Sequence, residues 1–477
     1  MTISIADQKA LQLLKKIERN ASTYAQNTPI DKKKKLGQFF TDHRIADYMA
    51  QLFSCKLQRD ATISILDCGA GYGILTFSLL NTLIKKGYNH FDLTLYEIDP
   101  GALDALQENL KVYQEQHSNI EINFTIINRN FILDPIDQKF DYIISNPPYF
   151  KLNKDAPEAR LMQHIVHGQP NIYMFFMAKS ASLLKNDGEM VFITPRSFTS
   201  GTYFKKFRDY LFNTVSLEQI HIFNTRREHF KNERILQETI ITKFTNSSHP
   251  SPVVTITSSE DSNFTAIESL EVSKDLIFDK SRRILCIPSN KQDLDILELF
   301  CNTSTTLQDL GYRISTGKVV TFRNRDLLAN TSKNLFDEEK DYAPLLWMHN
   351  FKNEQLLFPI DSKKEQYIQI SDASKALLIP MQNYLIIKRF SSKEQHRRIN
   401  IGYLYKDDIT SKYVGLENHL NYLYRDDREL TKDEMKQLGA FLTSSEVDQY
   451  FRILNGNTQV NAADMLHLPV PTKLFKG

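Results

Sequence analysis

At 477 residues, 41% of them hydrophobic and 24% charged, with a mean hydropathy of −0.38, the chain has the composition of a soluble protein of two or three domains. No apolar run approaches the ~20 residues of a membrane-spanning helix. Four scattered cysteines, with no apolar signal core at the start, point to a reducing cytoplasm rather than a disulfide framework or zinc knuckle, and a net charge of +2 neither requires nor excludes a nucleic-acid partner.

Residues 5–20 put Ile5, Leu11, Leu14 and Ile17 at helical spacing, which predicts an amphipathic helix. A polar stretch then leads through Leu36-Gly37-Gln38-Phe39-Phe40-Thr41 into a second helix that Thr41 or Asp42 can cap, giving a helical N-terminal part over 1–60. From Ile63 the pattern changes to short apolar runs (Ile63–Leu66, Leu93–Tyr96, Ile122–Ile127, Tyr142–Ile144, Met190–Ile193) separated by helical segments. Such alternation predicts βαβ units, hence an α/β domain with a parallel sheet and helices on both faces. Residues 246–263, rich in Ser, Asn and Pro, read as a linker between a first domain, 1–245, and a second, 246–477. The second is less regular, with short strand-like pieces such as Tyr384–Lys388, and reads as mixed α+β; Trp347 reads as a packed core position.

Three motifs carry chemistry. Asp67-Cys68-Gly69-Ala70-Gly71-Tyr72-Gly73 closes the first predicted strand, where glycines let the backbone turn sharply and approach a ligand. Nicotinamide- and flavin-binding folds use similar turns. Glu97 closes the next strand, where a carboxylate can accept hydrogen bonds from both ribose hydroxyls of an adenosine-containing cofactor. After the fourth strand comes Ser145-Asn146-Pro147-Pro148-Tyr149. The prolines fix an extended path and remove two amide donors, leaving carbonyl acceptors. An amino group on a planar ring is a poor nucleophile because its lone pair is delocalised. The Asn146 side-chain oxygen and the Pro147 carbonyl can hold its two hydrogens and favour a pyramidal nitrogen. Tyr149 offers a face for stacking, worth roughly 1–3 kcal/mol per base in nucleic-acid sites.

In this order, the motifs over about residues 30–245 resemble the gamma group of DNA adenine-N6 methyltransferases, the TaqI-like enzymes. The resemblance implies a Rossmann-like, S-adenosylmethionine-dependent sheet, no metal, and a C-terminal target-recognition domain acting on double-stranded DNA. It implies that Thr41 contacts the methionine end of the cofactor, that Asp67 and the loop from Gly69 through Gly71 to Gly73 flank its amino acid and sulfonium, and that Glu97 holds the ribose. Where the family usually has Asp-Phe this chain has Asn130-Phe131; Asn130 retains one acceptor and one donor for the adenine edge, and Phe131 stacks on it. Phe230 corresponds to the aromatic that clamps the extruded base opposite Tyr149. Flipping that base costs a few kcal/mol, which the stacking and hydrogen bonds can offset.

The segments Gly311–Arg325, Gly415–Leu420 and 452–471 look like the recognition region of the PstI/BsuBI-type branch, which implies the modification enzyme of a type II restriction-modification system. A restriction endonuclease would then be its functional partner, with a short palindrome such as CTGCAG as target. The candidate DNA-binding residues are Lys318, Arg323 and Arg325 in one run and Lys388, Arg389, Arg397 and Arg398 in another. The competing functions are methylation of a protein glutamine, methylation of RNA adenine, and a catalytically inactive DNA-binding specificity protein.

Overall fold

The computed structural model describes residues 5–29, 41–223, 239–279, 283–330, 341–391, 395–454 and 459–471. The chain divides into two units, Met1–Ser289 and Asn290–Gly477.

The first unit is built on a nine-stranded sheet. Its strands are β1 (Ile63–Asp67), β2 (His90–Tyr96), β3 (Glu121–Ile127), β4 (Phe140–Ser145), β5 (Leu184–Pro195), β6 (Ser216–Phe223), β7 (Thr239–Thr245), β8 (Val253–Ser259) and β9 (Ile267–Ser273), in the spatial order 3-2-1-4-5-7-6-8-9. β1 pairs in parallel with both β2 and β4 and is buried along its whole length, including Ser64, whose hydroxyl donates to Asp141 at 2.6 Å. β7 runs antiparallel to β5 and β6. The helices are α1 (Ile5–Asn27), α2 (His43–Gln51), α3 (Ile74–Lys85), α4 (Pro100–Gln116), α5 (Pro157–Leu161), α6 (Ile172–Ser182) and α7 (Lys205–Thr214). Asp42 rather than Thr41 caps α2, accepting from the Arg44 amide. Asp99 caps α4, and Pro100 at its first position forfeits only an amide with no intrahelical partner. Strand order reverses between β1 and β4, so the crossovers diverge there and leave a crevice beyond the carboxyl ends of the strands.

The boundary expected at 245/246 falls instead at 289/290, and the expected linker forms β8 and part of the turn to β9. The polar composition misleads because the hydroxyls are buried and satisfied. His221 of β6 is fully buried, with Nδ1 2.9 Å from the Thr257 hydroxyl and Nε2 3.1 Å from that of Ser259, while Tyr48 meets Thr257 at 2.8 Å.

The second unit is mixed α+β, as expected. A four-stranded antiparallel sheet runs in the order Tyr312–Thr316, Leu420–Arg425, Tyr384–Lys388, Ile401–Leu404. A five-stranded sheet has Tyr342–Leu346 and Tyr413–Leu416 as central, parallel neighbours. Helices Lys291–Cys301 and Ser445–Leu454 pack through stacked Phe300 and Tyr450 rings 4.1 Å apart. Trp347 is buried, its indole N–H donating to the Glu365 carbonyl at 2.8 Å. No helix among the described residues is long and apolar enough to cross a membrane, and all four cysteines are free thiols.

Removing β8 would uncover Ile220 and Ile222 and take from Tyr48 and His221 their buried hydroxyl partners, each lost hydrogen bond costing about 0.5–1.5 kcal/mol. A fragment of residues 1–289 should therefore melt cooperatively by circular dichroism. A 1–245 fragment should melt at least ~10 °C lower or precipitate; equal melting temperatures would refute the assignment of β8 and β9 to the first unit.

Candidate active site

The carboxyl ends of β1 to β4 surround a cavity of about 290 Å³ whose walls include Gly69, Gly71, Glu97, Asn130, Phe131 and Asn146. These sequence-predicted residues, together with Thr41, come together in one place. Gly71 and Gly73 have φ of 54° and 89°, and a Cβ on Gly73 would stand 2.6 Å from Phe77, so the turn needs glycine there for conformation and for space. Glu97 is 7% exposed. Its Oε2 accepts from the Gly71 amide at 2.8 Å, and its Oε1 accepts from Ile98 and Asp99 at 2.8 and 2.7 Å. Burial pushes its carboxyl above the usual range, against these amide bonds.

Asp67 differs from expectation. It is fully buried and is not a wall of the cavity; Thr76 donates to it at 2.8 Å and the Gly69 amide reaches it at 3.5 Å. Burial, with a smaller push from Glu97, raises it to about 7. Among the described residues, both donors to this acid beneath the loop are neutral.

Asn130 is occupied internally. Its Oδ1 accepts from the Ile132 amide at 3.0 Å, and its Nδ2 donates to Glu158 Oε1 at 2.7 Å. Phe131 packs edge-on to Tyr96 with ring centres 5.3 Å apart, and its carbonyl accepts from Lys179 at 2.6 Å.

Asn146 Nδ2 donates to the Thr41 hydroxyl oxygen at 3.0 Å. The Tyr149 hydroxyl donates to Asn146 Oδ1 and also lies 2.8 Å from the Ile193 carbonyl. With one proton for two acceptors, it can leave either one open to an incoming donor. Pro147 is buried, and the Tyr149 ring stands edge-on to Tyr173, centres 6.1 Å apart, set back from the cavity wall. Phe230 lies outside the described residues.

Sequence reasoning missed two contributors. Ile17, Glu18 and Ala21 of α1 form one wall, which a helical stripe signals only as a buried face. Glu158 forms another part, and an isolated acid in a short helix carries no signal of its own.

In the second unit Lys318, Arg323 and Arg325 are exposed. Lys388 donates to the Phe351 carbonyl at 2.7 Å, Arg389 to the Asn418 carbonyl at 3.0 Å, and Arg397 lies 3.7 Å from Glu354. Arg398 must be corrected: it is fully buried, donates to Ser391 at 3.1 Å and sits over the Phe451 ring, so it belongs to the core rather than to a DNA-facing surface.

The family model for Eco57I restriction-modification methylases matches residues 48–230. Type II methyltransferase M.BsuBI of Bacillus subtilis is 34% identical over 97% of this chain and 92% of its own length. Type II methyltransferase M.PstI of Providencia stuartii is 33% identical over 94% of this chain and 90% of its own. The fold is shared with the Type IIL restriction-modification enzyme MmeI, solved in complex with DNA, at a TM-score of 0.54 and 13% identity over 94% of this chain and 67% of that one. The chain belongs to the restriction-modification methyltransferases, in the family that includes M.BsuBI and M.PstI.

Proposed function

We propose that this protein transfers a methyl group from S-adenosylmethionine to the N6 amino group of an adenine flipped out of duplex DNA, as the modification enzyme of a type II restriction-modification system. The observation that carries this reading is Asn146: its amide borders the same cavity as Gly71 and Glu97 and is oriented by Thr41.

The cavity suits the cofactor in its own chemistry. Asp67 is a buried acid that meets no cation among the described residues, beneath the loop where the positively charged methionine end would lie. Glu97 is fixed by three amides, two on Oε1 and one on Oε2, which leaves one lone pair of Oε2 for a ribose hydroxyl. Ile98, 52% exposed, offers an apolar face to a purine ring. When bound, the cofactor supplies a methyl group on a sulfonium, whose departing sulfide is neutral. The chain's own residues position the nucleophile. Asn146 Oδ1 and the Pro147 carbonyl take the two amine hydrogens, so the lone pair turns toward the methyl, and alignment accounts for much of the rate. The amine proton turns acidic only after transfer, so no strong base is required. Tyr149 holds the base once its hydroxyl yields Asn146 Oδ1. Lys318, Arg323 and Arg325 supply exposed charge for phosphates, and Lys388, Arg389 and Arg397 lend secondary contacts.

Tritiated methyl transfer to duplex DNA, RNA and protein tests the reading. Duplex DNA should be labelled, and Asn146→Ala should lower the rate ~10²–10³-fold, comparable to losing one preorganised hydrogen bond at a reacting group, with cofactor affinity within about threefold. Label on RNA or on protein glutamine, with none on DNA, refutes it. Tyr149→Ala should slow transfer more than it weakens cofactor binding; equal losses would make Tyr149 a structural residue.

Asp67 gives a pH prediction. Its folded value, about 7, lies above its ordinary 3.8, so its ionised form opposes folding increasingly as pH rises from about 4 to about 7. A bound cation lowers that value and releases a proton. Calorimetry should show S-adenosylmethionine affinity rising between pH 6 and 8, by up to ~10-fold per unit, with proton release. Asp67→Asn should flatten that rise, weaken binding and raise the melting temperature at pH 8. An unchanged pH profile would show that Asp67 does not sense the cofactor.

A further inference from the structure

We propose that Glu158, oriented by Asn130, is the residue that distinguishes a 6-amino purine from a 6-oxo purine in the cofactor. The inference rests on the cofactor reading above. Nδ2 of Asn130 donates to Glu158 Oε1 at 2.7 Å, and Oδ1 is held by the turn that follows, accepting from Ile132 at 3.0 Å and from Leu133 at 3.4 Å. The amide therefore cannot turn over to present its oxygen to a ligand without breaking that turn. Glu158 is only partly buried and lines the cavity beside Asn130, Phe131 and Ile98. With Oε1 committed to Asn130, Oε2 remains as an acceptor. An adenine between the apolar faces of Ile98 and Phe131, with its ribose at Glu97, would present its 6-amino donor to that oxygen.

The pair is also matched within itself. An acid at position 130 would set two carboxylates side by side, whereas Asn supplies the donor that a neighbouring Glu needs. The acceptor for the amino group thus stands on α5, not on the loop after β3.

The logic predicts a reversal. In Glu158→Gln the side-chain oxygen would stay with Asn130 and the amide nitrogen would face the cavity, a donor suited to a 6-oxo group. In Asn130→Asp/Glu158→Gln the acid would take that nitrogen and return an oxygen to the cavity. The experiment is calorimetric titration of the full-length protein and these variants with S-adenosylhomocysteine and with its deaminated analogue S-inosylhomocysteine. Melting curves would check folding, and Glu158→Ala would serve as a second single variant.

The unmodified protein should prefer the adenosyl compound by at least ~10-fold, because a site built around a donor leaves its acceptor unpaired with the analogue. Glu158→Gln should weaken the adenosyl compound about 10-fold and abolish or invert the preference. Glu158→Ala should abolish it, and the double variant should restore it. A Glu158→Gln protein that retains both affinity and preference overturns the proposal. An unmodified protein that binds neither compound overturns the cofactor reading, and this inference falls with it.

Discussion

The Glu97 carboxylate is the joint on which the active-site end of the first unit depends. Its own amide donates to the Ile127 carbonyl of β3 at 3.2 Å, while its side chain accepts from Gly71 in the loop after β1 and from the two amides that follow it. One residue thereby ties together the ends of three adjacent strands. Burying a carboxylate is costly, and its raised pKa records that cost. Charge-assisted bonds from backbone amides, roughly twice as strong as neutral ones, offset part of it. A polar floor held in this way is preorganised, so a ligand hydroxyl arriving there has no loop to reorder.

A second acid extends the same frame to the N-terminal helix. Asp99 caps α4 and accepts from the Tyr24 hydroxyl of α1 at 2.8 Å; a Cβ on Gly101 would stand 2.5 Å from that hydroxyl, so the contact needs glycine. Farther back on α1, Glu18 meets His43 Nδ1 at 2.6 Å, close to the start of α2. The helix is thus fastened beside the cavity at both ends of the face that lines it. The attachments are two polar pairs rather than an apolar seam alone, which favours one defined seat for the helix over several that hydrophobic packing would tolerate.

What was legible in the sequence is what local chemistry dictates. The glycine turn, the acid closing β2 and Asn146-Pro147-Pro148-Tyr149 stand at strand ends because backbone conformation and acceptor geometry demand those residue types within a few positions. What was not legible depends on partners distant in the chain. Ser and Thr in 253–259 read as linker until His221 and Tyr48, which satisfy them, are placed beside them. Arg398 reads as one more surface cation until Ser391 and Phe451 enclose it. Asp67 reads as a ligand because of its position, whereas strand alternation turns its side chain inward toward Thr76. Glu158 acquires meaning only from Asn130, 28 residues earlier.

A net charge of +2 is also a poor guide to partners, because the charges of the second unit are unequally available. Arg398 is spent in the core, Lys388 and Arg389 are tied to backbone carbonyls, and Lys318, Arg323 and Arg325 stand exposed. Beside Lys388 and Arg389 in sequence register lies a turn of another kind. Glu417, nearly fully buried, bonds both the amide and Nδ1 of His419, whose side chain is 45% exposed. The Asn418 amide donates to Val319 at 3.0 Å, and the His419 carbonyl accepts from the Arg389 amide at 2.9 Å, so the turn is held from two sides. With Nδ1 held by the acid, the orientation of the half-exposed ring is set by a buried partner. On the DNA reading, phosphates need only diffuse charge, whereas a base edge must be met by a group with a defined donor or acceptor, and rigid presentation reduces the ordering cost of doing so. On that reading discrimination would reside in a few side chains oriented by buried partners, which a near-neutral chain can carry as well as a basic one.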